Sequence, residues 1–113
     1  MDARKPLRVA IVEDDLAARN ILVSALQRDA DYTVVAEFAE GTAAICAIPN
    51  LAPDMVLVDL GLPDISGIEV IRELKSTYGR GCDFGLVSRG IQPPALTDSE
   101  VVSREFTDRL RVV

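Results

Sequence analysis

The chain has 113 residues, 49% of which are hydrophobic, and a formal net charge of −6. This length fits one domain, and the apolar content excludes a disordered chain. The excess of acidic side chains disfavours nucleic-acid binding through a broad basic surface.

The first part of the chain predicts a strand, a helix and a second strand. Residues 7–12 form an apolar run that ends at three acids, Glu13, Asp14 and Asp15, which indicates a buried strand with carboxylates at its C-terminal end. Residues 32–37 are rich in β-branched side chains and predict the second strand. The helix between them is expected to bury one face and expose the other: Ala18, Ile21, Leu22, Ala25 and Leu26 inward, and Arg19, Asn20, Gln27 and Arg28 outward.

The next segment repeats this alternation. A short alanine-rich helix is expected from Gly41 to Ile48, stopped by Pro49 and Pro53. Residues 55–58 predict a third buried strand, which is followed directly by Asp59. Ser66 opens an S-x-x-E pattern, the spacing of a capping box, so a third helix should begin there.

The periodic pattern weakens after residue 79. Residues 83–88 predict a fourth strand, and a thin apolar stripe after Thr97 predicts a helix. Alternating strands and helices with apolar strands imply an α/β fold with a doubly wound parallel sheet. Ligands of such sheets bind at the carboxyl ends of the strands. The acids that follow the first and third strands are expected at that edge.

Convergent carboxylates favour a site for a hard divalent cation and phosphoryl transfer. Like charges at close range repel, and Mg²⁺, which prefers oxygen ligands, relieves that repulsion. Glu13, Asp14 and Asp59 are therefore candidate Mg²⁺ ligands, and Asp59 is the candidate nucleophile because a rigid strand precedes it and a glycine-containing loop follows. Ser88, at the end of the fourth strand, is a candidate hydrogen-bond donor to a phosphoryl oxygen.

Each of these residues also has a purely structural interpretation. Residues 13–15 could cap the first helix. Asp59 could be a turn residue at a strand end, and Ser88 an ordinary strand-end hydroxyl. The combination favours the functional interpretation, because two separate strands end in acids at positions that a parallel sheet places side by side.

The remaining sequence features narrow the chemistry and the location. Cys46 and Cys82 form no C-x-x-C pair, and the chain has no histidine, so we expect two reduced thiols and no zinc site. No apolar run reaches the roughly 18 residues of a membrane span, and the charged start of the chain lacks a signal peptide's apolar region. We therefore expect a cytoplasmic protein without a membrane segment.

Two segments resemble the receiver domain of two-component response regulators. Residues 9–15, VAIVEDD, are similar to the family's first strand and acidic pair, and residues 54–67, DMVLVDLGLPDISG, resemble its phosphorylation segment. Residues 32–41 are similar to the subfamily that usually carries a C-terminal helix-turn-helix. The resemblance covers residues 7–79 and implies a flavodoxin-like receiver fold.

The resemblance also implies roles for individual residues. Asp59 would accept a phosphoryl group from a histidine kinase. Asp14 would bind Mg²⁺ directly, Glu13 would act mainly through a metal-bound water, and the carbonyl of Gly61 would be a further ligand. Ser88 would be the switch residue that bonds the phosphoryl group. Such a domain is not a conventional enzyme.

The chain departs from the family after residue 79. The family's lysine at the end of the fifth strand is missing, because no lysine follows Lys75, and Arg89 stands where a very small residue is usual. We interpret residues 1–113 as one receiver-like domain in which residues 80–113 are divergent and a normal last strand and helix are lacking. The fourth strand would then be an edge, which favours homodimerisation.

The departures leave other functions open. A phosphorylation-incompetent interaction module, or a non-functional fragment, would keep the acidic pocket without switching. An aspartate-nucleophile phosphatase is disfavoured, because such enzymes usually place a second acid two residues after the nucleophile and this chain has Gly61 there. No DNA-binding segment is expected in the chain, so either its output would pass through protein partners or the chain is a fragment of a longer regulator.

Overall fold

The computed structural model describes residues 5–78 and 82–87. Over these ranges strands and helices alternate as the sequence predicts. The elements are β1 (Leu7–Val12), α1 (Leu16–Gln27), β2 (Tyr32–Phe38), α2 (Gly41–Leu51), β3 (Met55–Asp59), α3 (Gly67–Thr77) and β4 (Asp83–Val87).

The strands of the described ranges form one parallel sheet in the order β2-β1-β3-β4. The central strands β1 and β3 are apolar because both faces of the sheet are covered, and residues 9–12 and 56–58 are fully buried. Helix α1 packs against β2, whereas α2 and α3 pack against each other. Right-handed crossovers place α1 on one face of the sheet and the α2–α3 pair on the other. The predicted doubly wound fold is confirmed.

The start of α3 follows the predicted capping pattern. The Ser66 hydroxyl accepts a hydrogen bond from the main-chain N–H of Glu69 at 3.2 Å. This bond satisfies one of the free N–H groups in the first turn of the helix. The prediction from the S-x-x-E spacing is confirmed, and it fixes where the loop after β3 ends.

The prediction that α2 stops before Pro49 is wrong. The helix continues through Pro49 to Leu51 and closes at Ala52, which has a left-handed φ of 49° and donates its N–H to the Ile48 carbonyl at 3.0 Å. Pro49 lies in the last turn, where the missing proline N–H removes a single hydrogen bond close to a helix end that frays in any case.

Two side chains of α1 point in directions that the sequence did not predict. Ile21, expected to be inward, is 55% exposed. Arg19, expected to be outward, has a side chain only 17% exposed, because it bonds to the turn after β1 and to β2. The buried stripe of α1 is narrower than predicted and consists of Ala18, Leu22, Ala25 and Leu26.

Several predictions fall on segments outside the described residues. These are the position of Ser88, the helix after Thr97, the divergence of residues 80–113 and the lack of a normal last strand and helix. They stay predictions, as does homodimerisation. Among the helices within residues 5–78 and 82–87, none is long and apolar enough to cross a membrane.

Candidate functional site

The carboxyl ends of the two central strands bring three acidic side chains together. β1 and β3 pair in parallel with Val12 opposite Val58, so Glu13 and Asp59 occupy the next positions on adjacent strands. Carboxylate oxygens of Glu13, Asp14 and Asp59 all lie within 4.8 Å of one another. These are the three acids that the sequence singled out as candidate metal ligands.

Glu13 is the buried member of this acidic cluster, with only 2% of its surface exposed. Its Oε2 accepts a hydrogen bond from the Asp15 main-chain N–H at 3.2 Å. Burial is the largest cause that raises the pKa of Glu13 to about 7; the hydrogen bond from the Asp15 N–H lowers it, and a side-chain hydrogen bond with Asp59 and the charge of Asp59 raise it. A carboxyl group in such surroundings either takes up a proton or is stabilised by a positive charge placed beside it.

Asp15 has the structural role that the sequence left open for the whole acidic run. Its Oδ2 accepts a hydrogen bond from the Ala18 main-chain N–H at 2.8 Å, so Asp15 is the N-cap of α1. Asp14, by contrast, is exposed, and Glu13 is buried beside Asp59. The capping interpretation therefore holds for Asp15, whereas Glu13 and Asp14 belong to the cluster with Asp59.

Asp59 lies at the boundary between a rigid strand and an open loop. It is the last residue of β3 and is partly exposed, while the four residues before it are buried. The N–H of Gly61 points to Asp59 Oδ1 at 3.4 Å. A methyl group placed on Gly61 would meet no atom within 4 Å, so the loop leaves open space there.

Gly67 packs against the main chain of Asp59. As the first residue of α3 it packs directly against the main-chain carbonyl of Asp59, and its N–H bonds to the Leu60 carbonyl at 3.0 Å. A side chain at position 67 would overlap with main-chain atoms of both residues. The phosphorylation segment predicted from sequence therefore closes tightly at Gly67 and stays open at Gly61.

A contact that the sequence did not predict ties this loop to α2. Asp64 accepts hydrogen bonds from the N–H groups of Thr42 at 2.8 Å and Gly41 at 3.0 Å. Glu40, the N-cap residue by position, makes no side-chain cap bond. Asp64 therefore caps α2 from a distant loop. The sequence signal for this cap is weak: an acid lies inside the motif D-x-x-L-P-x-x-x-G of residues 59–67, and the start of α2 has no Ser, Thr, Asp or Asn as its own N-cap.

Asp64→Ala is expected to lower the melting temperature at neutral pH, because the N–H groups that begin α2 lose their acceptor. The hydrogen bonds from Thr42 and Gly41 hold the pKa of Asp64 well below its usual range. Unfolding returns that pKa to its ordinary value of 3.8, so the stabilisation is present above this pH and is lost as the pH falls below it. Thermal melts from neutral pH to below pH 3.8 should show that the difference in melting temperature between Asp64→Ala and wild type becomes smaller in acid.

Glu40→Ala is the matched control for this prediction. It removes an acid at the same helix start that makes no cap bond, so it should leave the melting temperature unchanged. A difference between Asp64→Ala and wild type that stays constant from neutral to acidic pH would contradict the charged cap.

The acidic cluster fits a hard divalent cation. Its donors are carboxylate oxygens, the ligands that Mg²⁺ prefers, and its members range from the buried Glu13 to the exposed Asp14. A cation bound there would also offset the burial of the Glu13 carboxylate. The Gly61 carbonyl stays a predicted further ligand, and Ser88 lies outside the described residues.

The sequence matches the response regulator receiver domain over residues 9–90. Aligned over its full length, the chain is 32% identical to protein-glutamate methylesterase/protein-glutamine glutaminase 3 of Paramagnetospirillum magneticum, of which it covers 36%. Over 64% of its length it is 38% identical to the DNA-binding response regulator MtrA of Mycobacterium leprae, of which it covers 31%. The chain thus spans well under half the length of either relative.

The fold is similar to solved receiver domains. It matches the signal receiver domain of the putative response regulator NarL from Mycobacterium tuberculosis with a TM-score of 0.72 and 29% sequence identity. The match covers 80% of this chain and 72% of that one. Sequence and fold therefore point to the same family.

Proposed function

The chain belongs to the family of response regulator receiver domains, and on that premise we propose that it is a phosphoacceptor of a two-component phosphorelay, phosphorylated on Asp59 by a histidine kinase with Mg²⁺. The position of Asp59 carries this proposal. Its carboxylate belongs to a cluster with Glu13 and Asp14 within 4.8 Å, and Asp59 is partly exposed where β3 meets the following loop.

Asp59 would act as the nucleophile. One of its carboxylate oxygens attacks the phosphorus of a phosphohistidine, the new O–P bond forms as the P–N bond breaks, and the imidazole leaves. The product is an acyl phosphate on Asp59. Its negative charge then lies close to two further acids, which is the electrostatic obstacle that the site must overcome.

Glu13 and Asp14 would hold the cation that offsets this charge. Mg²⁺, when bound, supplies positive charge to the carboxylates and to the phosphoryl oxygens. We assign Asp14 as a direct ligand from the exposed side and Glu13 as an acidic group acting from the buried side. Gly61 would add its carbonyl, and Ser88 would bond the phosphoryl group as the switch residue.

The chain is proposed to signal through protein partners and not to turn over a separate substrate. The segment that it shares with the methylesterase relative is 36% of that protein, and the segment that it shares with MtrA is 31%. The histidine kinase would be the upstream partner. Direct nucleic-acid binding by this chain is not part of the proposal, because its net charge is −6.

One observation favours a second function. No lysine follows Lys75, whereas the resemblance implies a lysine that pairs with the phosphoryl oxygens. A chain with the acidic cluster but without that cation would bind Mg²⁺ and bind partners without forming a stable phosphoaspartate. The arginines at positions 109 and 111 are not equivalent replacements, because a guanidinium differs from an ammonium in shape and hydration.

Intact mass spectrometry with a small-molecule phosphodonor separates these functions. The full chain is incubated with acetyl phosphate, with and without Mg²⁺, beside Asp59→Asn and the control Asp83→Asn, which neutralises an exposed acid at the start of β4. We expect one Mg²⁺-dependent phosphoryl adduct in wild type and in the control, and none in Asp59→Asn. A folded wild-type chain that binds Mg²⁺ but gains no adduct would support the interaction module instead.

A further inference from the structure

Arg19 connects the acidic cluster to the edge strand β2. Its Nη1 donates a hydrogen bond to the main-chain carbonyl of Glu13 at 2.7 Å, and its Nε donates to Oε1 of Glu37 at 3.2 Å. The Arg19 side chain is only 17% exposed, against 43% for Glu37. A side chain that starts on α1 therefore reaches both the turn after β1 and the neighbouring strand β2.

The carbonyl that Arg19 holds belongs to the peptide group between Glu13 and Asp14. Because a planar peptide group includes the Cα atoms of both residues, holding its oxygen also restrains the two Cα atoms from which the acidic side chains leave the main chain. The N–H of Glu13 is held in turn by the Phe38 carbonyl of β2 at 2.8 Å. Arg19 and β2 thus hold the acid-bearing turn from both sides of Glu13.

The hydrogen bond from Arg19 to the Glu13 carbonyl acts against repulsion within the acidic cluster. The like charges of Glu13, Asp14 and Asp59 tend to push the turn after β1 away from β3. The hydrogen bond from Arg19 to the Glu13 carbonyl opposes that displacement before any cation binds. The planar guanidinium suits this task because it offers several donors in a fixed geometry, so one side chain serves the carbonyl and Glu37 together.

We propose that Arg19 is a positioning residue for the cation site, which it serves by holding the Glu13–Asp14 peptide in the orientation that faces Asp59. This inference rests on the proposed function, because the cation that it prepares for is the one that phosphorylation needs. Arg19 acts through the main chain and touches neither the cation nor the phosphoryl group.

The test compares four variants of the full chain with wild type. Arg19→Met removes both hydrogen bonds, whereas Arg19→Lys keeps a donor for the Glu13 carbonyl, and Glu37→Gln keeps an acceptor for Arg19. Arg72→Met is the matched control, because Arg72 pairs with Glu69 on the exposed surface of α3. Mg²⁺ affinity is measured by isothermal titration calorimetry, and amide hydrogen exchange of residues 13–16 and of β3 is measured without metal.

We expect Arg19→Met to raise the Mg²⁺ dissociation constant by about tenfold, as the loss of a group that orients metal ligands typically does. In Arg19→Met, the amides of residues 13–16 should exchange faster than in wild type, while the amides of β3 keep wild-type protection. Arg19→Lys and Glu37→Gln should fall between Arg19→Met and wild type. Arg72→Met should match wild type in both measurements.

The two readouts separate failure of this inference from failure of the proposed function. If Arg19→Met binds Mg²⁺ as tightly as wild type and its amides in residues 13–16 exchange at the wild-type rate, the positioning role is overturned. The phosphoacceptor proposal would still stand. A wild-type chain that binds no Mg²⁺ would overturn the proposed function, and the exchange data alone would then decide whether Arg19 orders the turn. Equal weakening in Arg19→Lys and Arg19→Met would also count against the carbonyl contact as the cause.

Discussion

Gly67→Ala is expected to destabilise the fold by roughly 1–3 kcal/mol, the range of overpacking changes in well-packed proteins. A methyl group at this position would overlap with the Asp59 carbonyl oxygen, and it would lie 2.9 Å from the Asp59 carbonyl carbon and 3.0 Å from the Leu60 Cα. All three are main-chain atoms, so no side chain can move aside. Either α3 or the end of β3 must shift, and a shift of β3 also displaces Asp59.

Thermal melts and thiol labelling check this expectation. Cys46 is exposed, whereas Cys82 is buried and burial raises its pKa to about 12, so an alkylating reagent at neutral pH should label only Cys46 in the native chain. Gly67→Ala should melt at lower temperature and expose Cys82 to labelling. Gly61→Ala is the matched control in the same loop, because its methyl group would meet no atom within 4 Å. Equal stability of the two variants would contradict the close packing at Gly67.

Asp59→Asn is expected to change stability in opposite directions with and without Mg²⁺. Without metal, the variant should melt at a higher temperature than wild type, because two unit charges about 4 Å apart repel by roughly 1 kcal/mol in water and by about 4 kcal/mol near a protein surface. The gain should grow above neutral pH, since Glu13, whose pKa is about 7, then carries its full charge.

Added Mg²⁺ reverses this order. A ligand that binds only the folded state stabilises it by mass action, so Mg²⁺ should raise the melting temperature of wild type. Asp59→Asn, which lacks one carboxylate of the cluster, should respond weakly. Asp83→Asn, an exposed acid remote from the cluster, should behave like wild type in both conditions. A variant that gains nothing without metal and still responds fully to Mg²⁺ would show that Asp59 does not share the cation site.

The strands and the acidic cluster were predictable from the sequence because local patterns determine them. The apolar runs at residues 9–12 of β1 and 55–58 of β3 are typical of buried parallel strands, and acids that follow two such strands meet at one edge of the sheet. The start of α3 was predictable for a similar reason, since the hydrogen bond from Glu69 to Ser66 joins residues three apart.

The contacts that organise the site were not predictable in this way. Asp64 bonds to residues 22 and 23 positions away, and the partners of Arg19 lie in the turn after β1 and on β2. A helical periodicity places Arg19 outward and Ile21 inward, but the tertiary bonds of Arg19 draw it in, and α1 leaves Ile21 exposed. Sequence patterns report which face of an element is apolar, and they do not report which polar groups of other elements lie nearby.

The central claim, that Asp59 accepts the phosphoryl group, is tested most directly by locating the modified residue. The phosphorylated chain is treated with borohydride, which reduces an acyl phosphate to an alcohol with loss of phosphate, and the peptides are then sequenced by tandem mass spectrometry. We expect homoserine in place of Asp59, only after incubation with both phosphodonor and Mg²⁺. Homoserine at another acid, or a phosphoryl group that survives reduction on a hydroxyl side chain, would contradict the assignment of Asp59.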